Sequence, residues 1–177
     1  MAVQIGAKPD SGFDDPIGML KDCHRRIEHF LHILCVVADR GEGRALSDEE
    51  RAAVQSALAY FRSGGRRHTA DEEESLFPRL ERGDGADQFE DIAGLQDDHR
   101  HADTLHVAVD QLYSFWIATG RLQKKDELQL SSATKQLKQL YADHIQVEET
   151  IVFPRASKLL DKGTIAAIGE EFRARRK

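Results

Sequence analysis

Residues 68–79 read HTADEEESLFPR and residues 144–155 read HIQVEETIVFPR, and the two stretches agree at His, Glu, Glu, Phe, Pro and Arg at identical offsets. In a helix, residues four apart lie about 40° apart around the axis and about 6 Å along it, so His68 with Glu72, and His144 with Glu148, each face one region. Each pair is a two-toothed ligand for a metal. One such pair alone also arises as an exposed helix contact worth a few tenths of a kcal/mol, roughly. The flanking sequence decides between these readings.

Working outward from the repeat, the chain divides into long helical stretches with short connections, and the alternation typical of strands is nearly absent. Helix 1 is expected from Asp15, with Pro16 suited to a first helical position, to Gly41. Its inward stripe runs Ile17, Leu20, His24, Ile27, Leu31, Leu34, Ala38. Helix 2 opens with the capping box Ser47-Asp48-Glu49-Glu50 and carries Val54, Leu58 and Phe61 inward. Gly64-Gly65 threatens a break or kink, and Pro78 should bend or end the helix. Helix 3, from about residue 87 to 120, has Ile92, Leu95, His99, Ala102, His106, Val109, Tyr113 and Trp116 as its seam; helix 4, about 126 to 160, has Leu130, Leu137, Leu140, His144, Val147 and Ile151. A short helix from Ile165 follows, with Thr164 as its expected cap. The fold class is therefore all-α: an antiparallel up-down-up-down four-helix bundle with a short C-terminal helix, spanning 14–177 behind a flexible N-terminal arm, 1–13.

Every long helix carries a histidine on its apolar stripe. An up-down-up-down order makes the two helices of the repeat parallel, so they present two His-xxx-Glu pairs to the same core as single histidines from the other two. The candidate metal ligands are His24, His68, Glu72, His99, His144 and Glu148. A lone inward histidine is more often a hydrogen-bonded core residue than a ligand. The whole set together would bury several polar groups at one level, which is costly unless they share a partner. Four imidazoles and two carboxylates without a thiolate are too many donors for one tetrahedral structural zinc and suit octahedral iron or manganese with carboxylate bridges. Two metals joined by an oxygen bridge fit best.

Glu28 mimics the repeat after His24 and is a reserve ligand, and His106 is expected to hydrogen-bond near the site rather than ligate. Glu73 and Glu149 are expected as outer acceptors or surface charges, while His29, His32 and His101 fall off the seams. Tyr113, Tyr141 and Trp116 read as core packing.

Composition narrows the class further. The chain has 177 residues, a formal net charge of −6, eight histidines and two cysteines. Its basic residues are dispersed except for a short tail, so no stripe tracks a phosphate backbone and nucleic acid is not an expected partner. No apolar run approaches the roughly 20 residues of a membrane span, and the start lacks a signal peptide's pattern. Cys23 and Cys35 on one helix would lie about 18 Å apart, too far for a disulfide. A cytoplasmic protein, monomer or homodimer, is expected.

These residues resemble the hemerythrin-like, HHE cation-binding family: a first-helix histidine in HisArgArgIle, then HTADEEESLFPRL, a third-helix histidine in DDHRHADTL, HIQVEETIVFPRA, and the ending GEEFRARR. The resemblance covers about residues 15 to 176. It implies that the six candidates hold two irons with an oxo or hydroxo bridge, manganese or zinc being other possible occupants. The sequence departs from oxygen-carrying hemerythrins at Asp103, where they place a second helix-3 histidine, and in its His-xxx-Glu spacing on helix 4. Both departures count against reversible oxygen storage and leave room for nitric oxide or peroxide.

The leading expectation is a non-enzymatic protein that binds or senses oxygen or a related small molecule. The alternatives are an enzyme that consumes peroxide or nitric oxide or donates iron for iron-sulfur repair, and an iron-responsive interaction protein.

Overall fold

The computed structural model describes residues 10–82 and 91–177. Among them the chain is an all-α bundle with no strand. The first rod is α1 (Pro16–Gly41). The second is α2 (Asp48–Tyr60), a π-helical turn (Phe61–Gly65), α3 (Arg66–Asp71), a second π-turn (Glu72–Leu76) and α4 (Phe77–Arg82). The third is α5 (Ile92–Thr119), and the fourth is α6 (Lys124–Val147), a π-turn (Glu148–Val152) and α7 (Phe153–Leu159). The terminal helix is α8 (Lys162–Ala174). The expected start of the third helix near residue 87 lies outside the described residues.

Local chemistry sets several ends. The Asp15 carboxylate accepts from the Gly18 amide at 3.0 Å, and Pro16 occupies the first turn, where a missing N–H costs nothing. Ser47 and Glu50 close the capping box reciprocally. α8 starts earlier than the sequence suggests: Asp161, rather than Thr164, caps it by accepting from the Thr164 amide at 2.7 Å. An Asp carboxylate is a better acceptor for exposed helical amides than a hydroxyl, and it complements the helix dipole.

The second rod runs on through both points where the sequence threatens a break, kink or bend. Gly64-Gly65 does not interrupt the second rod, and Pro78 does not end it. Each site is absorbed within or next to a π-turn. Pro78 and Pro154 cannot donate and would clash with the carbonyls of Glu74 and Thr150 four residues before them. Widening the preceding turn resolves this: the Phe77 amide bonds to the Glu72 carbonyl and the Phe153 amide to the Glu148 carbonyl, five residues back. The extra residue also lets consecutive residues, Leu76-Phe77 and Val152-Phe153, both be buried.

Neighbouring rods run in opposite senses. Cys35 Sγ reaches the Thr134 carbonyl at 3.4 Å and His24 reaches Glu149 at 2.8 Å; likewise Arg62 meets Asp110 and Glu73 meets His99. The apolar interior is in two parts. One holds Ile27, Leu31, Leu34, Val54, Phe61, Ala102, Val109, Tyr113, Trp116 and Leu137. The other holds Ile17, Leu20, Leu76, Phe77, Leu95, Val152, Phe153, Ile168 and Phe172. Along every rod the boundary between them falls at or just beyond a candidate histidine: His24 stands between Leu20 and Ile27, and His99 between Leu95 and Ala102. A polar layer therefore divides the core.

α8 closes the second part. Arg175 and Arg176 pair with the fully buried Asp71, next to Glu72, and Arg79 grips Glu171 at 2.7 Å. Phe13 lies against Gly169, where any side chain would collide with its carbonyl, and stacks under Arg173 at 4.6 Å.

Candidate metal centre

The six side chains named from the sequence converge in that layer. His24, His68, Glu72 and Glu148 offer donor atoms that all lie within 4.8 Å of one another, and so do Glu72, His99 and His144. Glu72 belongs to both groups. Its Oε1 faces His68 Nε2 at 3.3 Å and His24 Nε2 at 3.9 Å, while its Oε2 faces His99 Nε2 at 3.4 Å. Glu148 Oε2 sits 3.0 Å from His24 Nε2 and 3.4 Å from His144 Nε2. Each carboxylate thus stands between imidazoles from different rods, the arrangement of a bridging ligand.

None of the six is more than 6% exposed. Nε2 of His24, His99 and His144, both oxygens of Glu72 and of Glu148, and Nδ1 of His68 have no hydrogen-bond partner. Unpaired buried polar atoms cost about 1–3 kcal/mol each, and native interiors carry few of them. Here the three Nε2 atoms, the Glu72 oxygens and Glu148 Oε2 face one another in a single layer, with His68 Nε2 beside Glu72, so the donor set fits metal ions.

Electrostatics describe the metal-free state. Burial works to lower the His24 pKa, but the Glu148 and Glu72 carboxylates outweigh it and raise it to about 10. His99 rises to about 9 against the same burial, through Glu72 and Glu73. His144 is also raised, burial again being overcome by Glu148. Burial drives His68 down to about 4. Glu72 is held well below the carboxylate range, because His68, His24 and His99 outweigh its burial. Protons on His24 and His99 stand in for metal charge.

The rest of the repeat orients these candidate ligands. Glu149 Oε1 bonds His24 Nδ1 at 2.8 Å, and Glu73 Oε1 bonds His99 Nδ1 at 2.8 Å. Phe153 stacks on His24 with ring centroids 5.5 Å apart, and Phe77 on His99 at 6.3 Å. Each His-xxx-Glu-Glu…Phe unit therefore contributes two candidate ligands, and its second Glu and its Phe fix the imidazole of a neighbouring rod. Asp98, which sequence reasoning missed, reaches His144 Nδ1 at 3.3 Å; its place just before His99 was the available signal. Alanine at Glu73 or Glu149 is expected to weaken metal affinity about 10–100-fold without loss of helix. Chelator competition alongside circular dichroism measures this.

Residues outside the site separate cleanly. Glu28, His29, His32 and His101 are exposed. His106 bonds Tyr141 at 3.1 Å and joins neither ligand group. Burial lowers its pKa to about 4, against the pull of Asp103 and Asp110, so the fold holds it neutral while the unfolded chain takes a proton below about pH 6.5. Stability is accordingly expected to fall between about pH 6.5 and 4, by up to about 3 kcal/mol from this group. Denaturation of His106→Phe over that range should show a shallower slope.

A family model described as the hemerythrin HHE cation binding domain matches residues 15–164. The chain is also 25% identical over 169 residues to an uncharacterized protein of Haemophilus influenzae, covering 93% of this chain and 91% of that one.

Proposed function

Because the chain belongs to the hemerythrin HHE cation-binding family and clusters histidines and glutamates able to hold metal, we propose that it carries two irons and binds or senses dioxygen, nitric oxide or peroxide. The observation that carries this reading is Glu72, whose two oxygens face two separate imidazole sets. On one side His24, His68 and Glu148, and on the other His99 and His144, would complete the coordination, and Glu148 Oε2 also lies 3.4 Å from His144 Nε2. Six protein residues do not fill two octahedral shells, which leaves positions for an oxygen bridge and a small exogenous ligand. When bound, iron supplies the redox affinity for such a ligand.

The chain's own residues do the remainder. Glu73, Glu149 and Asp98 hold imidazole tautomers with Nε2 turned inward. The two apolar core regions exclude bulk water on either side of the layer. Free Cys23 and Cys35 suit a reducing, cytoplasmic setting, and among the described residues no helix is long and apolar enough to cross a membrane.

Protein from iron-replete cells tests the reading through spectra under nitrogen, oxygen and nitric oxide. Near-ultraviolet and visible charge-transfer bands that change with the gas support it; a colourless protein without transition metal refutes it. Catalytic consumption of peroxide or nitric oxide in the same experiment would make the protein an enzyme.

A further inference from the structure

Beside the candidate centre, between the second rod and α5, lies a cavity of about 580 Å³ that no metal-site residue lines. A molecule the size of dioxygen or water needs only about 30 Å³, whereas organic ligands occupy sites of about 300–1,000 Å³. The cavity is therefore much larger than the proposed small-molecule reaction requires. Its inner wall is apolar and buried, formed by Leu34, Leu58, Phe61 and Val109. The polar feature on the inner side is the His106–Tyr141 hydrogen bond, 3.1 Å long, with Phe61 tilted against the His106 ring at 4.5 Å.

Charge narrows the ligand. Arg62, at the mouth, is bound by Asp110 through two hydrogen bonds of 2.5 and 2.7 Å. Arg66 and Asp103 on the exposed rim have opposite signs. The inner end holds no fixed charge: its polar groups are an imidazole and a phenol hydrogen-bonded to each other, and the charged side chains lie at the mouth and rim. An anion seated there would lose its water without gaining a cation. A neutral hydroxyl would find a partner, since a tyrosine oxygen and an imidazole engaged with each other still leave lone-pair capacity on the oxygen.

We propose that this cavity binds a neutral molecule of the simple phenol class, its ring against Phe61 and Leu58 and its hydroxyl on the His106–Tyr141 pair. Tyr141 also touches the His144 ring edge-on at 6.4 Å, so the ligand's hydroxyl would sit one side chain away from a candidate metal ligand. Binding itself does not depend on the di-iron reading, because the lining and the metal-site residues are different.

The test is calorimetric titration of the full chain, both metal-stripped and as isolated, with 4-methylphenol, toluene and 4-methylbenzoate. Saturable one-to-one binding of 4-methylphenol is expected, with toluene about tenfold weaker, the loss of one hydrogen bond, and 4-methylbenzoate weaker still. Tyr141→Phe should weaken 4-methylphenol about tenfold and leave toluene unchanged. Gly65→Leu should block 4-methylphenol and toluene alike, since Gly65 lines the cavity and a Cβ there meets only Phe61, at an ordinary 3.4 Å. If that variant does not fold by circular dichroism, the Tyr141→Phe comparison still decides. Absence of saturable 4-methylphenol binding, preference for the benzoate, or an equal effect of Tyr141→Phe on toluene overturns the proposal. Iron content and gas-dependent spectra, read separately, report on the metal reading alone.

Discussion

Replacing Glu72 with alanine is expected to take the metal content from about two ions per chain to nearly none, with affinity falling by at least about 100-fold, the upper end of what loss of an outer-shell partner costs. The size of the effect follows from position. Glu72 is the residue shared by both donor groups, so with two ions bound as proposed its removal would take a ligand from each at once. It also strips the carboxylate that raises the pKa of both His24 and His99, so protons no longer compensate the empty layer. Glu72→Gln keeps the volume and one acceptor oxygen, and is expected to retain at most one ion. Glu28→Ala is the control: Glu28 is exposed and lies outside both groups, so full metal content should persist. Elemental analysis after gel filtration, with circular dichroism to establish that the helices remain, checks all three.

Stripping both metal ions from the intact chain is expected to lower the thermal midpoint by about 16 to 32 °C. Ions at a thousandfold excess over their dissociation constant stabilise a folded state by about 4 kcal/mol per site, and 1 kcal/mol moves the midpoint of a domain this size by about 2–4 °C. Two buried carboxylates and four imidazoles, ion-paired with one another but with several atoms lacking a hydrogen bond, make the stripped state the costlier one. The loss should depend on pH. His24 and His99, raised to about 10 and 9, carry protons at neutral pH in the metal-free protein, so metal must displace about two of them. Metal affinity should therefore rise with pH up to about 9 to 10. The imidazolium pairs themselves stabilise the metal-free fold at neutral pH and below, and that contribution disappears as pH rises through the same values. The gap between loaded and stripped midpoints thus widens toward alkaline pH. Calorimetry at pH 6.5, 8 and 9.5, before and after chelation, measures it; an unchanged midpoint would show that the layer is stable without metal.

Much of this was legible in the residues. Pro16 and the Ser47–Glu50 capping box marked helix starts because their chemistry is local and acts on the backbone directly, whereas α1 ends through Glu42 in a left-handed conformation, just past Gly41. The six candidate donors were visible because the repeat places His and Glu on one helical face, and the apolar stripes placed His24 and His99 inward. The π-turns were not legible. Reasoning from a 3.6-residue period has no place for an inserted residue, so Pro78 read as a bend or a stop although the wider turn before it accommodates the ring. The roles of Phe77 and Phe153 were hidden for a related reason: they stack on histidines of other rods, and cross-rod contacts have no sequence period. Asp98 escaped because its partner, His144, is 46 residues away. His68 Nδ1 has no bond of this kind, so the two halves of the site are not equivalent, which the matched repeat conceals.

The central claim is that side chains from four rods hold two metal ions at one depth. X-ray absorption at the iron edge, joined to elemental analysis of the purified chain, tests it most directly. The account predicts about two irons per chain, each with nitrogen and oxygen neighbours, an iron scatterer beside each iron, and loss of both in Glu72→Ala. Iron absent after iron-replete expression, or a single isolated iron that survives the loss of Glu72, would contradict it.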